Sequence, residues 1–162
     1  MLLRRSIISI VSALVALLAG ALGAVNIEAV AIKHFSDKQL TTLGEYFGGK
    51  EYCGRRTYLR IVPTQKRGMY LVTALDTPIS DLPKGATITI DYYLNSSGEM
   101  QTTTLPFSQA KGHMGKALYF GLSNITNSEE KLLAWRLTIN DGAGYPLAHY
   151  ESFLWRMPEK NK

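Results

Sequence analysis

A mainly β fold is what this chain predicts: an antiparallel β-sandwich of the immunoglobulin-like kind, with seven or eight strands. Three observations carry that expectation. Apolar and polar residues alternate with period two in one segment after another from Thr57 to Trp155. Clusters of Gly, Pro, Asn and Asp separate those segments at short intervals, and helical periodicity is almost missing. A small β-barrel is the alternative, because strand count does not distinguish two sheets from one closed sheet.

In chain order, Val25, Ile27, Ala29 and Ala31 alternate with Asn26, Glu28 and Val30, which predicts a first strand. Ser36 followed by Gln39 opens a short helix over residues 37–43 by capping-box logic, and Gly44, Gly48 and Gly49 confine it. Glu45–Gly54 then reads as an irregular loop. Strands follow over Thr57–Val62, where Pro63 stops the run, and over Met69–Leu75. Asp76–Gly85 holds two prolines and a glycine and is a connection. Thr87–Leu94 shows the cleanest alternation, with Ile88, Ile90, Tyr92 and Leu94 on one face. Asn95–Gly98 turns the chain into Met100–Phe107, and Ala117–Leu122, Leu132–Asn140 and Tyr145–Trp155 complete the set. The last two are joined by a hairpin-like turn at Asp141–Gly144. The expected core is Leu59, Ile61, Leu71, Leu75, Ile88, Ile90, Tyr92, Leu118, Phe120, Leu133, Trp135, Leu137, Ile139, Leu147 and Phe153.

The chemistry looked for is mostly not found. His34, His113 and His149 are far apart, and no HxH, HExxH or CxxC occurs, so no metal site and no cofactor is expected. There is no GxSxG elbow and no phosphate-cradling GxxxxGK[ST] pattern. Cys53, the single cysteine, has no adjacent histidine or helix start to activate it, so it reads as an apolar filler. His113 sits in a Gly-rich loop between Lys111 and Lys116. These observations lean against an enzyme, with no catalytic residue named.

Two surface constellations remain. Arg56, Arg60, Lys66 and Arg67, with Arg55, fall in a run holding no acid, and on a hairpin they would form an anion-attracting edge. The competing role is protection of an exposed strand edge. The other constellation is aromatic. Tyr93, Tyr119 and Tyr150 fall out of phase with the expected core and would make a surface for sugar rings or a protein partner. A nucleic-acid partner is not expected. Of 18 basic residues Arg4 and Arg5 belong to the N-terminal segment, and the remaining 16 face 13 acids.

That N-terminal segment gives the destination. Arg4 and Arg5 precede an apolar run, Ile7–Leu18, broken only by Ser9 and Ser12, and small residues close it. The layout is a secretory signal peptide over residues 1–23, followed by one β-sandwich domain over 24–157 and a short C-terminal tail, 158–162. A retained membrane anchor is the rival, since Ser6–Val25 spans 20 residues. Lipid attachment is excluded at Leu18-Ala19-Gly20, because Ala21 follows where a cysteine is needed. The functional expectation is an exported, periplasmic or secreted, non-catalytic binding module with a protein or glycan partner in the envelope, touching a membrane only through an uncleaved N-terminal segment. The alternatives are an exported hydrolase with an unrecognised site and a membrane-tethered structural subunit.

Ala19-Gly20-Ala21 and Ala21-Leu22-Gly23 place small residues where a signal peptidase reads them, so the mature protein is expected to start at Leu22 or Ala24. Intact-mass measurement of the exported protein checks this. A membrane fraction that still begins at Met1 would put the anchor first.

Overall fold

The computed structural model describes residues 25–156. The expected export segment and C-terminal tail lie outside them. Nine strands occur among the described residues: β1 (Ile27–Phe35), β2 (Thr57–Arg60), β3 (Gly68–Leu75), β4 (Thr87–Leu94), β5 (Met100–Pro106), β6 (Lys111–Gly112), β7 (Ala117–Leu122), β8 (Leu132–Asn140) and β9 (Pro146–Glu151). Helical pieces are short: α1 (Asp37–Leu40), α2 (Leu43–Gly48) and α3 (Phe153–Arg156), with two 3-10 turns. No described helix is long and apolar enough to cross a membrane.

The strands form two open sheets, ordered β1-β3-β7-β2-β6 and β5-β4-β8-β9. A closed barrel is thereby set aside. One shared core lies between the sheets, drawing Leu59, Leu71, Leu118 and Phe120 from the first and Ile88, Ile90, Tyr92, Leu137 and Ile139 from the second. Burial of these aliphatic and aromatic side chains is the main driving force for closing the sheets on each other.

The expectation of a wholly antiparallel fold needs correction, because β2 runs parallel to β7. Residues 61–67 let the chain leave β2 and return as β3 with one strand position between them. That gap is filled by β7, which pairs antiparallel with β3 and parallel with β2. The extra strand beyond the expected count is β6, two residues long, pairing with β2.

Local irregularities reverse several expected faces. A register shift between Ile27 and Ala29 ends the alternation of β1 after Ile27. Ala29 and Ala31 are therefore exposed, and Val30 packs on the core instead. A second shift, where Tyr93 pairs with Ala134 but Leu94 with Leu132, pushes Leu133 outward to 49% exposure. A third separates Asn140–Pro146 from Ile139–Ala148, so Ala148 and Tyr150 face inward and His149 outward. Phe153 is also exposed, because β9 stops at Glu151 and the chain turns into α3. Where no bulge intervenes, as in β4, the alternation holds along the whole strand.

Trp135 is buried and stacks on Tyr150, with ring centroids 6.0 Å apart. Trp135→Ala is expected to cost about 3–5 kcal/mol, as large core truncations do. Leu133→Ser, on the bulge beside it, should change stability by no more than about 0.5 kcal/mol. Urea unfolding of the two variants checks the assignment of faces.

Candidate interaction surface

The five-stranded sheet is covered on its other face as well. After β1 the chain lays residues 36–56 across that face. Ser36 and Gln39 form a reciprocal capping box at the start of α1, as the sequence predicts. The helix ends at Leu40, and Thr42 starts a second one by accepting the Glu45 N–H. Gly49 closes α2 in the left-handed conformation, at φ 67°. The expected loop from Glu45 is thus partly helical, because Thr42 supplies a cap that the three glycines only limit in length. Beneath this layer Leu40 packs with Tyr58 and Tyr70, and Phe35, Cys53, Val72 and Tyr119 flank them.

The polarity of α2 is inverted. Leu43, Tyr46 and Phe47 are spaced i, i+3, i+4 and share one helix face. That face points to solvent, with exposures of 79%, 78% and 83%. Tyr52 follows at 65%. The half-buried residue is Glu45, whose carboxylate turns to the protein and pairs with the Lys66 ammonium. The Tyr46 and Phe47 rings meet edge to face, 5.4 Å apart. Leu43 and Tyr46 share a shallow depression with Asp37, Lys38, Thr41 and Thr42.

A buried arginine ties the layer down. The side chain of Arg60 is 3% exposed, and its Nη1 donates to Glu51 Oε1 at 2.6 Å. Its Nε donates to the Tyr70 hydroxyl at 2.8 Å, and that hydroxyl donates to the Lys66 carbonyl at 2.5 Å. The guanidinium lies over the Tyr58 ring, 4.5 Å from its centroid. Gly121 makes the arrangement possible. It pairs with Tyr70 on one side and Arg60 on the other, and a Cβ there would sit 2.7 Å from the Tyr70 ring. Burial disfavours the Arg60 charge, but Glu51 and Tyr70 more than offset it, and its pKa moves up. Burial likewise raises the Tyr70 phenol. Nη2 is buried without a partner.

The residues singled out from sequence are split by this geometry. Arg56 is exposed, lying 5.4 Å over the Tyr119 ring. Arg67 is exposed too, and its main-chain N–H donates to Asp37 at 3.1 Å. Arg60 and Lys66 are tied to carboxylates. The three tyrosines do not share a surface. Tyr119 lies under the covering layer, Tyr93 packs against Trp155 on the far face of the second sheet, and Tyr150 faces the core. Cys53 is half-buried, and burial, then Glu51, raises its thiol pKa. Gly112 lies against Cys53, so the chain brings the exposed His113 into its neighbourhood. Among the described residues no group of three His, Cys, Asp or Glu is gathered to hold a metal. What the sequence reading missed is Leu43, Tyr46, Phe47 and Tyr52. The signal was present in LGEYFGG, where apolar residues at helical spacing surround one carboxylate.

Glu51→Ala leaves the Arg60 guanidinium buried without its carboxylate and is expected to cost about 3 kcal/mol. Arg60→Met should cost less, since it removes the charge, keeps the apolar stem and leaves Glu51 free to face water. Denaturant unfolding of both variants tests this order.

Compared with known protein families, curated proteins and solved structures, the chain matches none.

Proposed function

We propose that this chain is an exported, non-catalytic interaction module that engages its partner through the layer formed by residues 36–56. The observation that carries the reading is the inverted polarity of α2. Burying a Leu or Phe side chain contributes about 1.5–3 kcal/mol. Folding leaves that contribution unused at Leu43, Tyr46 and Phe47, although Glu45 on the same helix is turned inward. A contiguous exposed apolar patch with a polar rim is the usual form of an interaction site. Rigid aromatic side chains also lose little entropy when a partner covers them.

An immunoglobulin-like form of the sandwich belongs to the same proposal. Two facing sheets of five and four strands support it, and the parallel β2–β7 pair departs from an all-antiparallel pattern. An exported hydrolase is the second reading, and one of its candidate nucleophiles is Cys53. The upward shift of the Cys53 thiol lowers its thiolate fraction at neutral pH, the opposite of what a nucleophile needs.

Leu43→Ser, Tyr46→Ser and Phe47→Ser, made together, should leave the unfolding midpoint unchanged or slightly raised, because the residues are exposed. The same triple variant should lose at least about tenfold in affinity for whatever envelope component the unmodified chain retains, the loss expected when central aromatic contacts are removed. Retention on an envelope extract, with and without the substitutions, checks this. Equal retention by both chains would remove α2 from the interface.

A further inference from the structure

We propose that this surface docks on an anionic lipid bilayer, with Leu43, Tyr46, Phe47 and Tyr52 entering the headgroup region and cations of the same layer meeting the lipid phosphates. The inference rests on the reading of α2 as the interaction surface and names the partner. Charge is what selects it. Residues 36–67 hold seven bases and three acids, whereas residues 68–156 hold six bases and eight acids. The chain is therefore electrically divided, and the positive part is the covering layer with β2 and its loop.

Two of the three acids of that part are paired with cations, and the third, Asp37, is exposed and keeps its charge. Glu45 pairs with Lys66, Glu51 pairs with Arg60, and Asp37 accepts the Arg67 main-chain N–H. Within residues 36–67, Lys38, Lys50, Arg55, Arg56 and Arg67 have no carboxylate partner among the described residues, as is also true of five lysines elsewhere in the chain. All but Arg67 belong to the covering layer, and Arg67 is bonded to it through Asp37. Lys38 lines the same depression as Leu43 and Tyr46. The centre of a protein–protein interface is usually depleted of lysine. A layer that combines an exposed apolar helix face with lysines and arginines lacking carboxylate partners matches instead the composition of interfacial membrane-binding segments. Tyrosine suits that depth, since its ring prefers the acyl boundary and its hydroxyl the headgroups.

The test uses the full-length chain with Phe47→Trp, whose emission, as a difference from the unsubstituted chain, reports only the surroundings of the introduced indole. The N-terminal apolar segment is common to all variants and does not contribute to the difference. Vesicles of phosphatidylcholine with phosphatidylglycerol should shift that difference emission to the blue, and vesicles of phosphatidylcholine alone should not. Raising salt should reverse the shift. Lys38→Gln, Lys50→Gln, Arg55→Gln and Arg67→Gln together should weaken vesicle binding by roughly several hundredfold, since each basic residue near an anionic surface contributes about fivefold. Circular dichroism verifies the fold of that variant, and the salt titration gives the same answer without it. No shift on anionic vesicles, or an equal shift on both kinds, overturns the bilayer proposal. If the shift is missing while the serine triple variant still loses retention of a protein from the extract, the surface is an interface for protein and only the lipid assignment fails. If both experiments show no effect, the reading of α2 fails with it.

Discussion

The guanidinium of Arg60 is the constraint around which the rest of the molecule is arranged. A charge with 3% side-chain exposure is tolerable only where a carboxylate and other polar partners offset its desolvation, and each partner of Arg60 comes from a different part of the chain, although Nη2 is left unpaired. Glu51 belongs to the covering layer, Tyr70 to β3 and Tyr58 to β2 itself. Lifting the layer would leave the guanidinium without its carboxylate, so the layer is bound to the sheet by electrostatics as well as by the burial of Leu40. Gly121 is the geometric condition. With any side chain there, the Tyr70 ring could not cross β7 to reach Arg60. The layer's position fixes α2 in turn, since Lys66, whose carbonyl accepts from Tyr70, also holds Glu45.

This coupling explains how a short helix keeps an unfavourable orientation. Six residues form a marginal helix in isolation, and an apolar face normally turns inward. Here Thr42 caps one end, Gly49 closes the other, and the Glu45–Lys66 pair holds the polar face against the protein. The ground beneath the layer is already filled by Phe35, Tyr58, Tyr70 and Tyr119. Those residues form a cluster to which Leu43, Tyr46 and Phe47 do not belong.

How much of this was legible in the sequence depends on what alternation encodes. Period two states which side of a strand a residue occupies, and along β4 that was enough to assign every face. It does not state what covers the opposite side. In β2 the run Thr57-Tyr58-Leu59-Arg60 is buried throughout, so Arg60 resembled a surface cation only because nothing local announces a second covering layer. Bulges defeat the pattern differently. One added residue inverts every face beyond it, which displaced Leu133, Tyr150 and the two alanines of β1 from their expected sides. The basic residues were adjacent in sequence, yet adjacency did not predict which of them would find carboxylates. Glu45 and Glu51 lie in a stretch whose glycines suggest only a loop.

The two outer faces of the sandwich differ in what they leave to solvent. On the second sheet, Thr89 and Thr104 share a hydrogen bond of 2.8 Å, and Asp91 accepts from Thr102 at 2.7 Å and from Arg136 at 2.8 Å. Arg136 in turn lies under the Trp155 ring. These polar groups bond one another across neighbouring strands, and water completes what remains. Displacing that water would return little to a partner. The face bearing α2 has the opposite balance: two of its three carboxylates are paired with cations within the protein, while its other cations and its largest apolar side chains are left to solvent. A partner that supplies both negative charge and an apolar interior would satisfy the two deficits in one contact.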